Sequence, residues 1–169
     1  MKRAILVFFG FWLIIFGAYG FIDVSEKKAV ELNIAPENFA DMYRVEDIKG
    51  NDAIDAVNEL HGKLIEIKAA EVISYKSYTQ DARIWISQAK TLTQAVYLFD
   101  LMDRKIKASI GKSPFSYPEK FVQDGIIIAK TYGMGKVHYY YQSGDKVYWL
   151  ELPSERHQEL LKSALKIWK

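Results

Sequence analysis

The sequence predicts an α+β domain carried on an N-terminal transmembrane helix, and three observations lead to this fold class. An uncharged apolar run opens the chain. Later segments rich in β-branched and aromatic residues are typical of strands, and two segments with apolar residues every three to four positions are typical of helices. After Gly62 the order is strand, strand, helix, three strands, helix. That order favours an antiparallel sheet with helices on one face, a two-layer sandwich of the ferredoxin-like or a related plait.

The N-terminal run is long enough to cross a membrane. No charged residue occurs from Ala4 to Ile22, a stretch of 19 residues. At about 1.5 Å per residue, a helix of this length nearly covers a hydrocarbon core of about 30 Å. We therefore predict that residues 1–22 are a membrane anchor. Its aromatic residues are expected to contact lipid or a partner helix, with Tyr19 at the interface: Phe8, Phe9, Phe11, Trp12, Phe16 and Tyr19.

A cleaved signal peptide is the alternative for the same segment. Lys2 and Arg3 would form its basic region, and Ala18 and Gly20 have the small side chains of a cleavage site. The apolar run continues through Phe21 and Ile22, which favours retention. In either case the N-terminus is expected in the cytoplasm and the body outside the membrane.

Residues 23–61 are predicted to be a juxtamembrane stalk and helical segment, separate from an α+β domain at 62–169. Apolar residues at helical spacing, among them Phe39 and Met42, predict one helix that ends at Gly50. A second helix is expected over 51–61, with Gly62 directly after its end.

Within residues 62–169 the elements follow from local pattern. Strands are predicted in 63–80, 82–87, 125–132, 136–142 and 146–152. Helices are predicted from Thr91 to Gly111 and from Ser154 onward, with Thr91 and Ser154 as N-caps and Asp103 on the polar side of the first of these helices. The segment 112–121 is predicted to be a loop because it contains Pro114 and Pro118. Glycine-containing turns at 133–135 and 143–145 would join the last three strands into hairpins.

Composition excludes several classes of function. The absence of cysteine rules out disulfides, Cys-ligated zinc and iron–sulfur clusters. The chain has 23 basic and 21 acidic residues, and two of the basic ones, Lys2 and Arg3, precede the apolar run. The body is therefore formally neutral, so we expect no nucleic-acid partner, which would require a basic face.

The last strands carry the candidate functional residues. Strict alternation places His138, Tyr140 and Gln142 on one face of their strand, with Trp149 on the next strand. If this face is exposed, these four residues form a partner-docking surface, since Tyr and Trp are enriched in binding hot spots. Cross-strand aromatic pairing that only stabilises the sheet, or a small-molecule pocket, would use the same residues.

Motifs for catalysis are missing from the sequence. The stretch Gly133-Met134-Gly135-Lys136 lacks the spacing of a phosphate loop, and no histidine stands in a metal-ligand pattern. No serine lies in a Gly-x-Ser-x-Gly motif. We therefore predict no catalytic residues, no cofactor and no metal. Arg83, beside Trp85, is expected either to bind an anion or to stack on a neighbouring ring.

The sequence thus predicts a non-enzymatic protein anchored in membrane lipid, an accessory or assembly subunit that docks on a membrane-protein partner. The first alternative is a cleaved, secreted or periplasmic domain that binds a small apolar or aromatic ligand. An extracytoplasmic hydrolase is a third class, which would need a concave pocket that holds carboxylates.

Overall fold

The computed structural model describes residues 30–62 and 64–169. The predicted anchor at 1–22, with Phe8, Phe9, Phe11, Trp12, Phe16 and Tyr19, lies outside the described residues. Among the helices within the described ranges, none has the length and apolar character needed to cross a membrane.

The described residues form one antiparallel sheet and three helices. The strands are β1 (Asn38–Phe39), β2 (Met42–Lys49), β3 (Ala69–Lys76), β4 (Asp81–Gln88), β5 (Glu119–Gln123), β6 (Ile126–Gly133), β7 (Lys136–Ser143) and β8 (Lys146–Pro153). The helices are α1 (Gly50–His61), α2 (Leu92–Ala108) and α3 (His157–Ile167). The sheet order is β1-β2-β3-β4-β8-β7-β6-β5, with every neighbouring pair antiparallel. The predicted α+β class with an antiparallel sheet is confirmed.

Both faces of the sheet are covered, so the predicted two-layer arrangement with helices on one face is wrong. One core contains the apolar side of α3, including Leu161, together with Trp168 directly after that helix. The other contains α1 and α2, including Val57 and Phe99. The central strands β7 and β8 are apolar or aromatic at successive positions and not only at alternate ones, which is the pattern of a strand buried on both sides.

The hairpin of β1 and β2 occupies the segment where a helix ending at Gly50 was predicted, and that prediction is wrong. Ala40 has a φ of 54° in the turn between β1 and β2, and Phe39 then pairs with Met42 across the hairpin. The three-residue spacing of these two apolar residues suits a tight hairpin as well as a helix. Strands β1 and β2 belong to the same sheet as the later strands, and α1 packs in one of its cores. The division at residue 62 stays a prediction.

The other elements agree with the sequence with three exceptions. The strand predicted over 63–80 is shorter, because β3 covers Ala69–Lys76 and residues 64–68 lie outside it. Strand β5 forms in the segment predicted to be a loop, directly after Pro118, at the edge of the sheet where a missing N–H is tolerated. Ser154 does not cap α3, which begins at His157, and its hydroxyl donates instead to the carbonyl of Gly135. Thr91 caps α2 as predicted, because its hydroxyl accepts from the Gln94 N–H at 3.1 Å.

A short N-terminal segment, residues 32–36, is held against the sheet on the α3 side, and we call it the strap. The N–H of Ile34 donates to Glu71 Oε2 at 3.1 Å, and the carbonyl of Ile34 accepts from the Trp168 indole N–H at 3.3 Å. The Tyr75 hydroxyl donates to the Pro36 carbonyl at 2.9 Å. The strap therefore ties the N-terminal side of the domain to its core.

Candidate functional site

Three of the four predicted docking residues are buried. His138 and Tyr140 have 0% exposure and Trp149 has 5%, while Gln142 is half-buried. The expected exposure of this sheet face is wrong because α2 and Phe115 pack against it. The polar tips of these three side chains form hydrogen bonds inside the core. The docking role stays a prediction, and these three side chains are not on the surface.

An aromatic row crosses this face of the sheet. Trp85 pairs with Trp149, and Trp149 pairs with Tyr140, in three neighbouring strands. The rings of Tyr140 and Trp149 stack with centroids 5.4 Å apart and planes 8° from parallel. Cross-strand pairs of this kind stabilise a sheet and fix the orientation of each ring. The indole of Trp149 is therefore held flat at the centre of the row.

His138 holds the N–H edge of the Trp149 indole. The indole N–H donates to His138 Nδ1 at 3.2 Å, and His138 Nε2 lies 3.1 Å from the carbonyl of Gly133. An imidazole that accepts at Nδ1 and donates at Nε2 is neutral, with its proton on Nε2. Burial lowers the pKa of His138, which agrees with a neutral ring.

Phe115 closes the aromatic group from the loop after α2. Its ring meets His138 and Trp149 edge-on, with centroids at 5.1 and 5.7 Å. This position depends on Gly133, since a Cβ at that residue would overlap the Phe115 ring. Gly133 thus serves this close approach, while the left-handed positions of the hairpin are Met134 and Gly135, with φ of 51° and 76°.

The rings of Trp149 and Phe115 border a cleft between α1 and α2, which we call the tryptophan cleft. Its volume is about 320 Å³. Trp149 and Phe115 contribute aromatic surface, and the two helices supply the remaining apolar lining, from Leu60, Met102 and Ile106. A concave, mostly apolar site with a few polar groups is the usual form of a small-molecule site.

The polar groups of the tryptophan cleft come from the ends of its two helices and the loop after α2. They belong to His61, Lys105, Ser109 and Ser113. The Lys105 amino group donates to the His61 carbonyl at 2.7 Å and so joins α2 to the end of α1. The Ser109 hydroxyl donates to the Ile106 carbonyl at 2.8 Å and lies 3.0 Å from the Ser113 hydroxyl. Within the described part of the chain, no carboxylate lines this cleft.

Asp103 forms a second polar cluster that sequence reasoning misplaced. We expected it on the solvent side of α2, but it is buried and accepts from the Tyr140 hydroxyl at 2.9 Å. Lys107 and Lys120 lie 2.8 and 3.0 Å from its other oxygen. Burial alone would raise the pKa of Asp103, but the hydrogen bonds from Lys107, Lys120 and Tyr140 outweigh it and hold that pKa below its ordinary value. The cluster fastens α2 to β5 and β7.

Gln142, the fourth predicted docking residue, lies at a different depression. This one has a volume of about 460 Å³ and runs between α2 and the hairpin ends of β5–β6 and β7–β8. Val96 and Ile127 line it and are 43% and 56% exposed. The structure therefore separates Gln142 from Trp149, although both were assigned to one surface.

Arg83 stacks on the ring of Trp85, one of the two arrangements expected for it. Its guanidinium carbon lies 5.8 Å from the centre of the Trp85 ring, and its nitrogens contact Glu46 and the Ser74 hydroxyl at 3.4 and 3.1 Å. Across 30–62 and 64–169, no group of three His, Asp or Glu side chains is positioned to hold a metal ion.

Sequence reasoning missed the cleft because its parts are far apart in the chain. Leu60 and Phe115 come from segments that were predicted separately, and Phe115 stood in a loop between two prolines. The available signal was the aromatic residue itself, since a Phe in a Pro- and Ser-rich loop must find apolar surface to cover.

Comparisons with known proteins give no relative for this chain. No protein-family model matches it, and neither a curated protein nor a solved structure does. Function must therefore be argued from the site alone.

Proposed function

We propose that this protein is an extracytoplasmic binding domain held on the membrane by residues 1–22, with its N-terminus in the cytoplasm. The 19 uncharged residues from Ala4 to Ile22 support the anchor. Only seven residues, 23–29, separate that run from Val30. The strap then connects this short link to the sheet through Glu71 and Trp168. A domain tied in this way stays close to the membrane surface.

Its ligand is a small apolar molecule that binds in the tryptophan cleft. The observation that carries this proposal is a preformed apolar cavity of about 320 Å³ whose aromatic lining is fixed by stacking and hydrogen bonds. Such a volume lies at the lower end of the range of about 300–1,000 Å³ common for small-molecule sites. Binding to a preformed site avoids the entropic cost of ordering side chains.

The domain acts by binding and not by catalysis. The Ser109 hydroxyl, a possible nucleophile in the cleft, donates to the main-chain carbonyl of Ile106 in α2. A serine nucleophile needs a base within hydrogen-bond reach. Its neighbour here is another hydroxyl, that of Ser113.

Photo-crosslinking in lipid nanodiscs tests the cleft. Full-length protein is incubated with an uncharged ten-carbon alkyl diazirine, irradiated and digested, and the labelled residues are identified by mass spectrometry. We expect labels on Met102, Ile106 and Phe115. Leu60→Trp, which fills the α1 side of the cleft, should abolish them. Ile167→Trp is the matched control, because Leu60 and Ile167 are 39% and 40% exposed and Ile167 lies on α3. Labels that are absent from the cleft, or unchanged in Leu60→Trp, would contradict the proposal.

Docking on a membrane-protein partner is the second candidate function. It is favoured by the depression beside Gln142, where Val96 and Ile127 expose apolar side chains. In this case Val96→Asp with Ile127→Asp should release the chain from a larger membrane complex on a native gel. Val45→Asp should not, because Val45 is exposed on β2, far from β6 in the sheet. Mass spectrometry of the same band distinguishes an intact chain from one that starts at Phe21, the product of signal-peptide cleavage. A chain that migrates alone from native membranes would count against docking.

A further inference from the structure

The described residues that line the tryptophan cleft include a cationic side chain and no carboxylate. Lys105 is exposed and lines the cleft beside His61, Ser109 and Ser113. Lys105 carries a positive charge, the serine hydroxyls and the imidazole can both donate and accept hydrogen bonds, and the described residues that line the cleft include no Asp or Glu. A lysine has three donors, and one of them is used on the His61 carbonyl. Two donors of Lys105 therefore remain for a ligand.

The apolar part of the cleft sets the size of its occupant. If a chain atom takes about the 30 Å³ that a water molecule occupies in the liquid, 320 Å³ holds roughly ten such atoms. This is enough to seat one short alkyl chain. An occupant with one chain and a head group at the rim would place its chain against Trp149, Met102 and Ile106.

We infer that the ligand is a free single-chain amphiphile with an anionic head group, of the fatty-acid class, whose carboxylate contacts Lys105 while its chain fills the tryptophan cleft. This inference rests on the proposed function and adds the charge of the ligand. Charge complementarity supports it, since a cationic amphiphile would meet Lys105 and find no counter-charge among the described lining residues. Because Lys105 is exposed, its contribution is that of a surface ion pair and is reduced by salt.

Three photoreactive probes with the same ten-carbon chain test the head group: a carboxylate, an alcohol and an amine. Each is titrated against full-length protein in zwitterionic nanodiscs, and the concentration that half-saturates labelling of the cleft residues is measured. We expect the carboxylate to require about two- to fivefold less probe than the alcohol, and the amine to require more than both. Raised salt should shrink the difference between carboxylate and alcohol.

The variant Lys105→Gln separates charge recognition from structure. It should bring the ratio of the carboxylate and alcohol half-saturation concentrations to about one, whereas a merely structural role of Lys105 would weaken both probes and keep their ratio. Lys166→Gln, on α3 at the other face of the sheet, is the matched control and should keep the preference. Equal half-saturation by carboxylate and alcohol in the wild type, or a preference that survives in Lys105→Gln, would overturn the inference.

Failure of the inference is distinct from failure of the proposed function. If alcohol and carboxylate both label the cleft equally, the apolar site stands and its anionic preference does not. If no probe labels the cleft, the proposed function fails as well. A final arm adds an anionic phospholipid to the nanodisc: suppression of carboxylate labelling by that lipid would overturn the assignment to a free single-chain acid, and unchanged labelling would support it.

Discussion

The indole N–H of Trp149 donates to Nδ1 of His138, 3.2 Å away, and both side chains are buried on the same face of the sheet. Because His138 Nε2 in turn meets the carbonyl of Gly133, the imidazole joins the β6–β7 turn to the centre of the aromatic row. A protonated imidazole has no acceptor, so it would lose the bond from Trp149. The orientation of the cleft's tryptophan therefore depends on the charge state of one histidine.

This dependence predicts a loss of stability in acid. Burial lowers the pKa of His138 in the folded protein below the value of about 6.5 expected in the unfolded chain. The unfolded state then binds more protons, so the stabilising contribution is complete above about pH 6.5 and is lost as the pH falls through the folded pKa. Urea unfolding at pH 7.5 and 5.0 should show a lower free energy of unfolding at the acid pH.

Substitution assigns that loss to a particular histidine. His138→Phe should be less stable at pH 7.5, since it removes the acceptor of Trp149, but its stability should change less between the two pH values. Partial burial also lowers the pKa of His157, so His157→Gln should remove a smaller part of the pH effect. An unchanged pH dependence in His138→Phe would show that another group is responsible.

Gly133→Ala should disturb the cleft directly. The added Cβ would overlap the Phe115 ring, and the resulting overpacking should cost about 1–3 kcal/mol of unfolding free energy. Gly135→Ala is the control: its φ of 76° makes alanine unfavourable by about 1–2 kcal/mol, but a Cβ there contacts nothing. Near-ultraviolet circular dichroism should change for Gly133→Ala and stay close to wild type for Gly135→Ala. Equal spectra would contradict the role of Gly133.

The sequence was most informative where pattern is local. Helix α2 follows from 3.6-residue periodicity, and the hairpins of β6, β7 and β8 follow from β-branched and aromatic runs separated by glycine-containing turns. Phe39 and Met42 led to a wrong helix prediction, because a spacing of three residues fits a tight hairpin and a helix equally well. Pairing of β2 with β3 stabilises the hairpin instead of the helix. Burial of Tyr140 was not predictable from its strand alone, because the partner of its hydroxyl is Asp103, 37 residues away.

Phe99 provides a test of the α2 packing face. Its ring lies in the core and meets Tyr140 with centroids 5.8 Å apart. Phe99→Ala should lower the unfolding free energy by about 3–5 kcal/mol through lost burial and a residual cavity. Tyr97, two residues earlier on the same helix, is 54% exposed, and Tyr97→Ala should stay within about 0.5 kcal/mol of wild type. A loss below about 1 kcal/mol for Phe99→Ala would mean that this face does not bury its ring.

The hydroxyl of Tyr140 can be removed without changing the ring. Tyr140→Phe keeps the stacking on Trp149 and deletes one donor to the buried carboxylate of Asp103. A hydrogen bond to a charged group contributes about 1.5–3 kcal/mol, and a loss of that size is expected in urea unfolding. Tyr132→Phe, at a tyrosine 46% exposed on β6, should cost little. A cost near zero for Tyr140→Phe would show that Lys107 and Lys120 satisfy Asp103 by themselves.

Glu71 should control whether the strap stays attached to the domain. Its side chain is fully buried, and Oε2 accepts the N–H of Ile34 at 3.1 Å, while Lys49 lies 3.7 Å from the other oxygen. Glu71→Ala removes the acceptor and leaves the Ile34 N–H without that partner. Hydrogen exchange followed by mass spectrometry should then show faster exchange in the peptide that covers residues 32–36 and little change in the exchange rates of the sheet.

Ser74→Ala is the matched control for the strap, because Ser74 lies on the same strand as Glu71 and its hydroxyl donates to Glu46 at 2.9 Å, away from the strap. Its peptide over 32–36 should exchange like the wild type. If Glu71→Ala also left that exchange unchanged, the bonds from Trp168 and Tyr75 would be sufficient to hold the strap. If Glu71→Ala instead accelerated exchange throughout the sheet, the carboxylate would support the whole core and not the strap in particular. Selective loss of protection is therefore the result that assigns Glu71 to the connection between the N-terminal segment and the domain.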